Sequence, residues 1–144
     1  MADEDDCIFC KILAGESEVS LVYRDDRCAA FMDTQPVNPG HLLVVPIRHA
    51  ADLAQLEEDE GAQVFRVAQR LAAALRRSGV KCEGVNLFLA DGEAAMQEVF
   101  HVHLHVFPRF DGDGFGLKFP PKYFQKPDRR ELNKIAGKIR HALE

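Results

Sequence analysis

Between Gln97 and Arg109 the chain reads QEVFHVHLHVFPR, and apolar and polar positions alternate through its centre. Phe100, Val102, Leu104 and Val106 are apolar, and His101, His103 and His105 stand between them. Side chains two apart in a strand share one face, so the spacing predicts a strand with three imidazoles on one side and an apolar row entering a core on the other. A helix would bring only His101 and His105 together. Val102 and Val106 favour extended backbone, and Pro108 ends the run of hydrogen bonds.

The same reading predicts the other elements. A short helix or turn spans 7–14 and stops at Gly15. Strands over 20–24 and 27–32 form a hairpin turning at Asp25-Asp26. After the rigid bend at Pro36 and Pro39-Gly40, a third strand covers 41–45 and Pro46 closes it. The main helix covers 57–78, with Val64, Val67, Ala68, Leu71 and Leu75 on one face, Arg76 and Arg77 in its last turn and Gly79 beyond. A fourth strand over 85–90 leads through a loop at Asp91-Gly92 to the histidine strand. Beyond Phe110 the chain turns rich in glycine and aromatic residues, an ordered loop of functional or intersubunit use. Asp128 then caps a final helix, with Glu131 as its capping-box partner and Leu132, Ile135, Ile139 and Leu143 as its stripe. Short connections favour antiparallel pairing. The expected fold class is α+β: a five-stranded antiparallel sheet with a main helix and a C-terminal helix, helices on one side, in a single domain over 1–144. Residues 1–6 are expected to be a disordered acidic tail.

A chain of 144 residues with 47% hydrophobic content fits one domain with a real core. Its start, MADEDD, is acidic and unlike a signal peptide, and no apolar run reaches membrane-spanning length, so the expectation is a soluble cytoplasmic protein. A net charge of −5 argues against a nonspecific nucleic-acid binder while leaving room for nucleotides. Of the four cysteines, Cys7 and Cys10 have the spacing of a metal or redox pair, and Cys28 reads as a small buried residue. A structural zinc site needs two ligands beyond Cys7 and Cys10.

The histidine row suggests nucleophilic chemistry. A neutral imidazole can attack phosphorus and form a phosphoimidazole, provided its second nitrogen is held as N–H and donors face the phosphate oxygens. His103, with a neighbour on each side, is the natural nucleophile.

His101-Val102-His103-Leu104-His105-Val106-Phe107 resembles the signature of the histidine triad (HIT) family of nucleotide-binding proteins, and the run from Pro39 to His49 extends the likeness. The chain looks closest to the bacterial Hint-like branch with a Cys-x-x-Cys near its start. The resemblance implies that His103 becomes nucleotidylated, that His105 contacts the phosphate and assists the leaving group, and that His41 orients the site. It implies a structural zinc on Cys7, Cys10, His49 and His101, with no catalytic metal. It places Ile8, Phe9 and Phe31 around the base, Asp33 on the ribose hydroxyls, and Gln97 and Glu98 near the phosphate or leaving group. Read alone, Asp33 equally starts a turn, Ile8 is equally core, His49 is a surface histidine, His41 is a satisfied strand histidine and the cysteines are a metal or redox pair. Ala90-Asp91-Gly92 replaces the usual Asn-x-Gly, and Met96-Gln97-Glu98-Val99 replaces Gly-Gln-Ser-Val. The implied function is a hydrolase or nucleotidyl transferase acting at the α-phosphate of a purine ribonucleotide conjugate, either a phosphoramidate or a dinucleoside polyphosphate. The alternatives are a nucleotide-binding scaffold with little turnover, a phosphorylase using inorganic phosphate, or a redox protein. A homodimer formed by joining two sheets is implied, with no nucleic-acid or membrane partner.

Overall fold

The computed structural model describes residues 4–143. Five strands, β1 (Leu21–Arg24), β2 (Cys28–Met32), β3 (Leu42–Pro46), β4 (Gly84–Phe88) and β5 (Leu104–Arg109), form one antiparallel sheet in the order β1-β2-β3-β5-β4. The helices are α1 (Ile8–Leu13), α2 (Glu58–Arg77) and α3 (Arg129–Ala142). The chain divides into two compact units, 1–113 with the sheet and 114–144. Among the described residues no helix is long and apolar enough to cross a membrane.

Strand alternation sorts the core into two layers. Cys28, Ala30, Leu42, Val44, Leu104 and Val106 face one way and pack on Val64, Val67, Ala68, Leu71 and Leu75 of α2. Phe31, Leu43 and Val45 face the other way and pack with Cys7 and Phe9 of the α1 segment. The helices of this unit therefore cover both faces, not one as expected. Apolar spacing identifies which stripe of a helix is buried and carries no information on which side of a sheet receives it.

Three further boundaries differ from expectation. The histidine strand begins only at Leu104, because the Val102 amide donates to the Ala50 carbonyl (2.8 Å) instead of a neighbouring strand. Strand β4 covers Gly84–Phe88, a slightly earlier span than 85–90, in register from Gly84 opposite Arg109 to Phe88 opposite His105. Glu4–Asp6 form a 3-10 turn closed by the Cys7 amide on the Glu4 carbonyl (3.3 Å), where disorder was expected. Residues 1–3 of that expected tail lie outside the described residues.

In the second unit a 3-10 turn at Pro121–Phe124 precedes α3, and the Phe119 and Tyr123 rings stack at 4.0 Å. Asp128 caps α3 as expected, its carboxylate accepting from the Glu131 amide at 2.9 Å.

Candidate functional site

The first turn of α1 sets two thiols side by side. Cys7 is the N-cap, and its Sγ accepts from the Cys10 amide at 3.4 Å. His49 reaches the same place from the turn after β3, beside Arg48, whose guanidinium is held by Glu60 and the Gln55 carbonyl. His101 arrives from the segment before β5 and is fully buried. Its Nδ1 lies 3.4 Å from Cys7 Sγ and 3.5 Å from Cys10 Sγ, and His49 Nδ1 lies 3.3 Å from Cys10 Sγ. The four donor atoms fall within 4.8 Å of one another. His101 Nε2–H donates to the Pro46 carbonyl at 2.8 Å, which leaves Nδ1 as a lone pair facing the sulfurs. Two sulfurs and two imidazole nitrogens make a donor set suited to a soft divalent cation. Burial and the adjacent Cys7 thiol push Cys10 up to about 12, so the Cys10 thiol stays protonated until a cation displaces its proton. Burial also pushes His101 down to about 4, which keeps its ring neutral and able to ligate.

His41, His103 and His105 form a second cluster whose tautomers follow from their partners. His103 Nδ1–H donates to the His101 carbonyl at 2.8 Å, so Nε2 carries the free lone pair. The Val37 amide donates to His41 Nδ1 at 2.9 Å, which places the His41 proton on Nε2. That Nε2–H donates to His105 Nδ1 at 2.9 Å, so His105 in turn presents Nε2–H as a donor. Asp33 Oδ2 stands 3.4 Å from His41 Nε2 and 3.9 Å from His105 Nδ1. Burial lowers the pKa of His41 and His103 and brings His105 to about 4, so the uncharged rings these partners require prevail at neutral pH. Gly40 sets up the turn into His41: at φ +106, a Cβ there would come within 2.9 Å of Val80 Cγ1 and 3.2 Å of Leu75 and Pro108.

These histidines border a cleft of about 1130 Å³. Ile8, Phe9 and Ile12 of α1, with Phe31 and Leu43 of the sheet, make an apolar wall, and Phe88, Ala90, Met96 and Glu98 lie on its border too. Of the residues expected here, Ile8, Phe9, Phe31, Asp33, His41, Glu98, His103 and His105 all line the cleft. Cys7, Cys10, His49 and His101 are gathered in the separate donor cluster. Gln97 does neither. It is buried, its Nε2 donates to the Ala51 and Val99 carbonyls (2.7 and 3.0 Å) and its Oε1 accepts from the Gly92 amide (2.8 Å), so it fastens the loop from behind. Ile12 and Leu43 escaped the sequence reading, although Ile12 is one helical turn from Ile8 and Leu43 shares a strand face with Val45. The Val37 amide had no sequence signal, since any non-proline residue carries one.

Residues 14–112 match the model of the HIT domain. The chain belongs to the HIT family. HIT proteins bind nucleotides and are generally hydrolases. An uncharacterized HIT-like protein of Borreliella burgdorferi is 43% identical over 114 residues, covering 78% of this chain and 82% of that one. The adenylylsulfatase HINT3 of Arabidopsis thaliana is 34% identical over 76% of this chain, which spans 55% of that longer protein. Among solved structures, SMU.412c of Streptococcus mutans superposes with a TM-score of 0.88 at 35% identity, covering 97% of this chain and 87% of the other. A zinc-bound histidine triad protein of Mycobacterium smegmatis superposes with a TM-score of 0.76 at 36% identity, over 92% and 91%.

Proposed function

We propose that this HIT protein cleaves purine ribonucleotide conjugates at the α-phosphate through a nucleotidyl-histidine intermediate. One observation carries the reading: the His101 carbonyl fixes the His103 proton on Nδ1, which leaves Nε2 as a free nucleophile bordering the cleft. The apolar wall of Ile8, Phe9, Ile12 and Phe31 supports a seat for a base, and Asp33 suits ribose hydroxyls through its partly exposed carboxylate. His103 Nε2 bonds to phosphorus as the bond to the leaving group breaks, and the departing atom takes a proton from solvent. Water then attacks phosphorus, the P–Nε2 bond breaks, the water gives up a proton to solvent and a nucleoside monophosphate leaves. His105 acts as a neutral N–H donor to a phosphate oxygen, because its other nitrogen already accepts from His41.

Zinc is the cation that best suits Cys7, Cys10, His49 and His101, and it serves to hold the fold together, with no part in the chemical steps. The likeness to a zinc-bound relative supports this assignment. A homodimer that joins two sheets at an edge is in keeping with the open edges at β1 and β4. One observation favours a slow-turnover binding protein as second reading: Ala90 is buried at the cleft border and offers no side-chain donor where the family commonly has asparagine.

Intact mass after mixing with adenosine 5′-phosphoramidate and quenching in mild base tests the reading, with AMP release read in the same tube. An adduct of one AMP group or AMP release, either one lost in His103→Ala, is the expected result. Neither adduct nor AMP overturns it, and AMP release that persists in His103→Ala removes His103 as the nucleophile.

A further inference from the structure

The cleft has an unusual charge inventory for a phosphate site. Glu18, Asp33 and Glu98 line it, and no lysine or arginine stands among the described residues that do. Of the imidazoles beside them, His41 accepts from the Val37 amide and donates to His105, an arrangement of two uncharged rings. Glu98 is exposed and has no hydrogen-bond or ion-pair partner among the described residues. Sites that take polyphosphates ordinarily meet the extra charge with arginine, lysine or a bound cation.

The histidine pair also gives the cleft a direction. The His103 ring packs edge-on against Phe9 of α1 at 5.1 Å, and His105 lies 5.9 Å from Phe88 at the end of β4. A nucleoside on the α1 wall with its phosphorus at His103 therefore sends the leaving group away from Phe9 toward Phe88, along a cleft that Glu98 also lines and from which its charge acts on His103. This step rests on the function proposed above.

The geometry points to Glu98 as a specificity determinant that selects leaving groups bearing a cationic group, so the substrate class is a nucleoside phosphoramidate of an amine that carries a second ammonium or guanidinium. A polyphosphate leaving group would bring several negative charges to a border that already holds a free carboxylate and offers no cation. An alkylammonium reaching past the scissile P–N bond pairs with that carboxylate instead. The bond changes are those of the proposed reaction: P–N breaks as His103 Nε2–P forms, and the departing amine takes its proton from solvent.

The test compares kcat/KM for three compounds: AMP joined through nitrogen to n-pentylamine, AMP joined through one nitrogen of 1,4-diaminobutane, and diadenosine triphosphate. The expected order is diamine, alkylamine, triphosphate, with the diamine ahead of the alkylamine by about 5-fold at low salt, as for a partly exposed ion pair. The ratio falls toward one in Glu98→Gln, inverts in Glu98→Lys and shrinks at high salt. Because Glu98 is exposed, these variants keep the fold, which circular dichroism checks. A wild-type ratio near one, a ratio unchanged by Glu98→Gln, or triphosphate as the preferred compound overturns the inference. A ratio that responds only to Glu18→Gln moves the determinant to Glu18 and likewise overturns it. No turnover of any of the three overturns the hydrolase reading itself, a result separate from an altered preference.

Discussion

A single backbone angle at Met96 bears on one of the two departures from the common Gly-Gln-Ser-Val segment. Met96 adopts φ +73, the only positive φ at a non-glycine position among the described residues. A side chain in that left-handed region costs roughly 1–2 kcal/mol through contact between Cβ and the following carbonyl oxygen. The family commonly places glycine there, and the local geometry says why. Met96 is 72% exposed, so its side chain gains little from burial to offset the strain. Met96→Gly is expected to stabilise the protein by roughly 0.5–1 kcal/mol after the greater freedom of glycine in the unfolded chain is subtracted. Thermal melting would show this as a rise of about 2–3 °C, and an unchanged or lower midpoint would mean that the loop relaxes without strain. The other departure, Glu98 for serine, is a change of charge at an exposed position and leaves the backbone unaffected.

At the scale of elements, the β1–β2 hairpin is tied to α2 through one carboxylate. Asp25 accepts from the Arg27 and Cys28 amides (2.7 and 2.8 Å), from the Tyr23 hydroxyl (2.7 Å) and from Gln63 Nε2 (2.8 Å) on α2. Partial burial opposes ionisation, yet these four donors outweigh it and hold the carboxyl well below the usual carboxylate range. A carboxyl lowered in the folded state contributes stability that is complete above its unfolded pKa of 3.8 and is lost as pH falls below that value. Asp25→Ala should cost about 2 kcal/mol near neutral pH in urea unfolding, and its deficit against wild type should narrow as pH falls from about 5 to about 2.5. A deficit constant across that range would mean that Asp25 acts through packing alone.

The same scale shows which parts of the structure the sequence announces. Hydrophobic spacing and capping residues located every strand and all three α-helices of the described chain to within a few residues, most directly α2, which buries a regular stripe, whereas the apolar stripe expected of α3 contains no buried residue. Capping residues set the start of α3 at Asp128 and the stop of α1 near Gly15. What spacing could not convey was partnership. The alternation from Phe100 to Val106 is uniform, yet only Leu104 onward joins the sheet, because Ala50, not a strand residue, receives the Val102 amide. The side of the sheet taken by α1 was equally hidden, since Phe9 would be buried on either face. At the site, residue types identified the histidines and cysteines, whereas their tautomers depend on the Val37 amide and the Pro46 and His101 carbonyls, which exist at every position. Gln97 illustrates the converse: its side chain suits a phosphate, but three backbone groups claim it first.

At the scale of the sheet-bearing unit, the donor cluster and the cleft share a wall. Cys7 and Cys10 start α1, and the same helix presents Ile8, Phe9 and Ile12 to the cleft. Six residues of helix cannot hold themselves in place in water, and α1 is held by a small apolar cluster with Phe31, Leu43 and Val45 together with the donor set. A cation on Cys7, Cys10, His49 and His101 would tie α1 to chain segments as much as 94 residues away, converting binding energy into fold stability. Removing zinc with a chelator should therefore lower the melting midpoint by about 10 °C or more, and Cys7→Ser with Cys10→Ser should reproduce that loss without chelator. The effect should be local first. In hydrogen exchange, amides of α1 should lose protection while those of α2, packed on the other face of the sheet, keep theirs. Affinity for AMP should fall about tenfold with them, as the apolar wall of Ile8, Phe9 and Ile12 becomes mobile. Restoring zinc should recover midpoint, protection and affinity together. A chelated protein that melts as before, or that loses its midpoint yet binds AMP unchanged, would separate the donor cluster from the cleft and assign α1 to the apolar contacts alone.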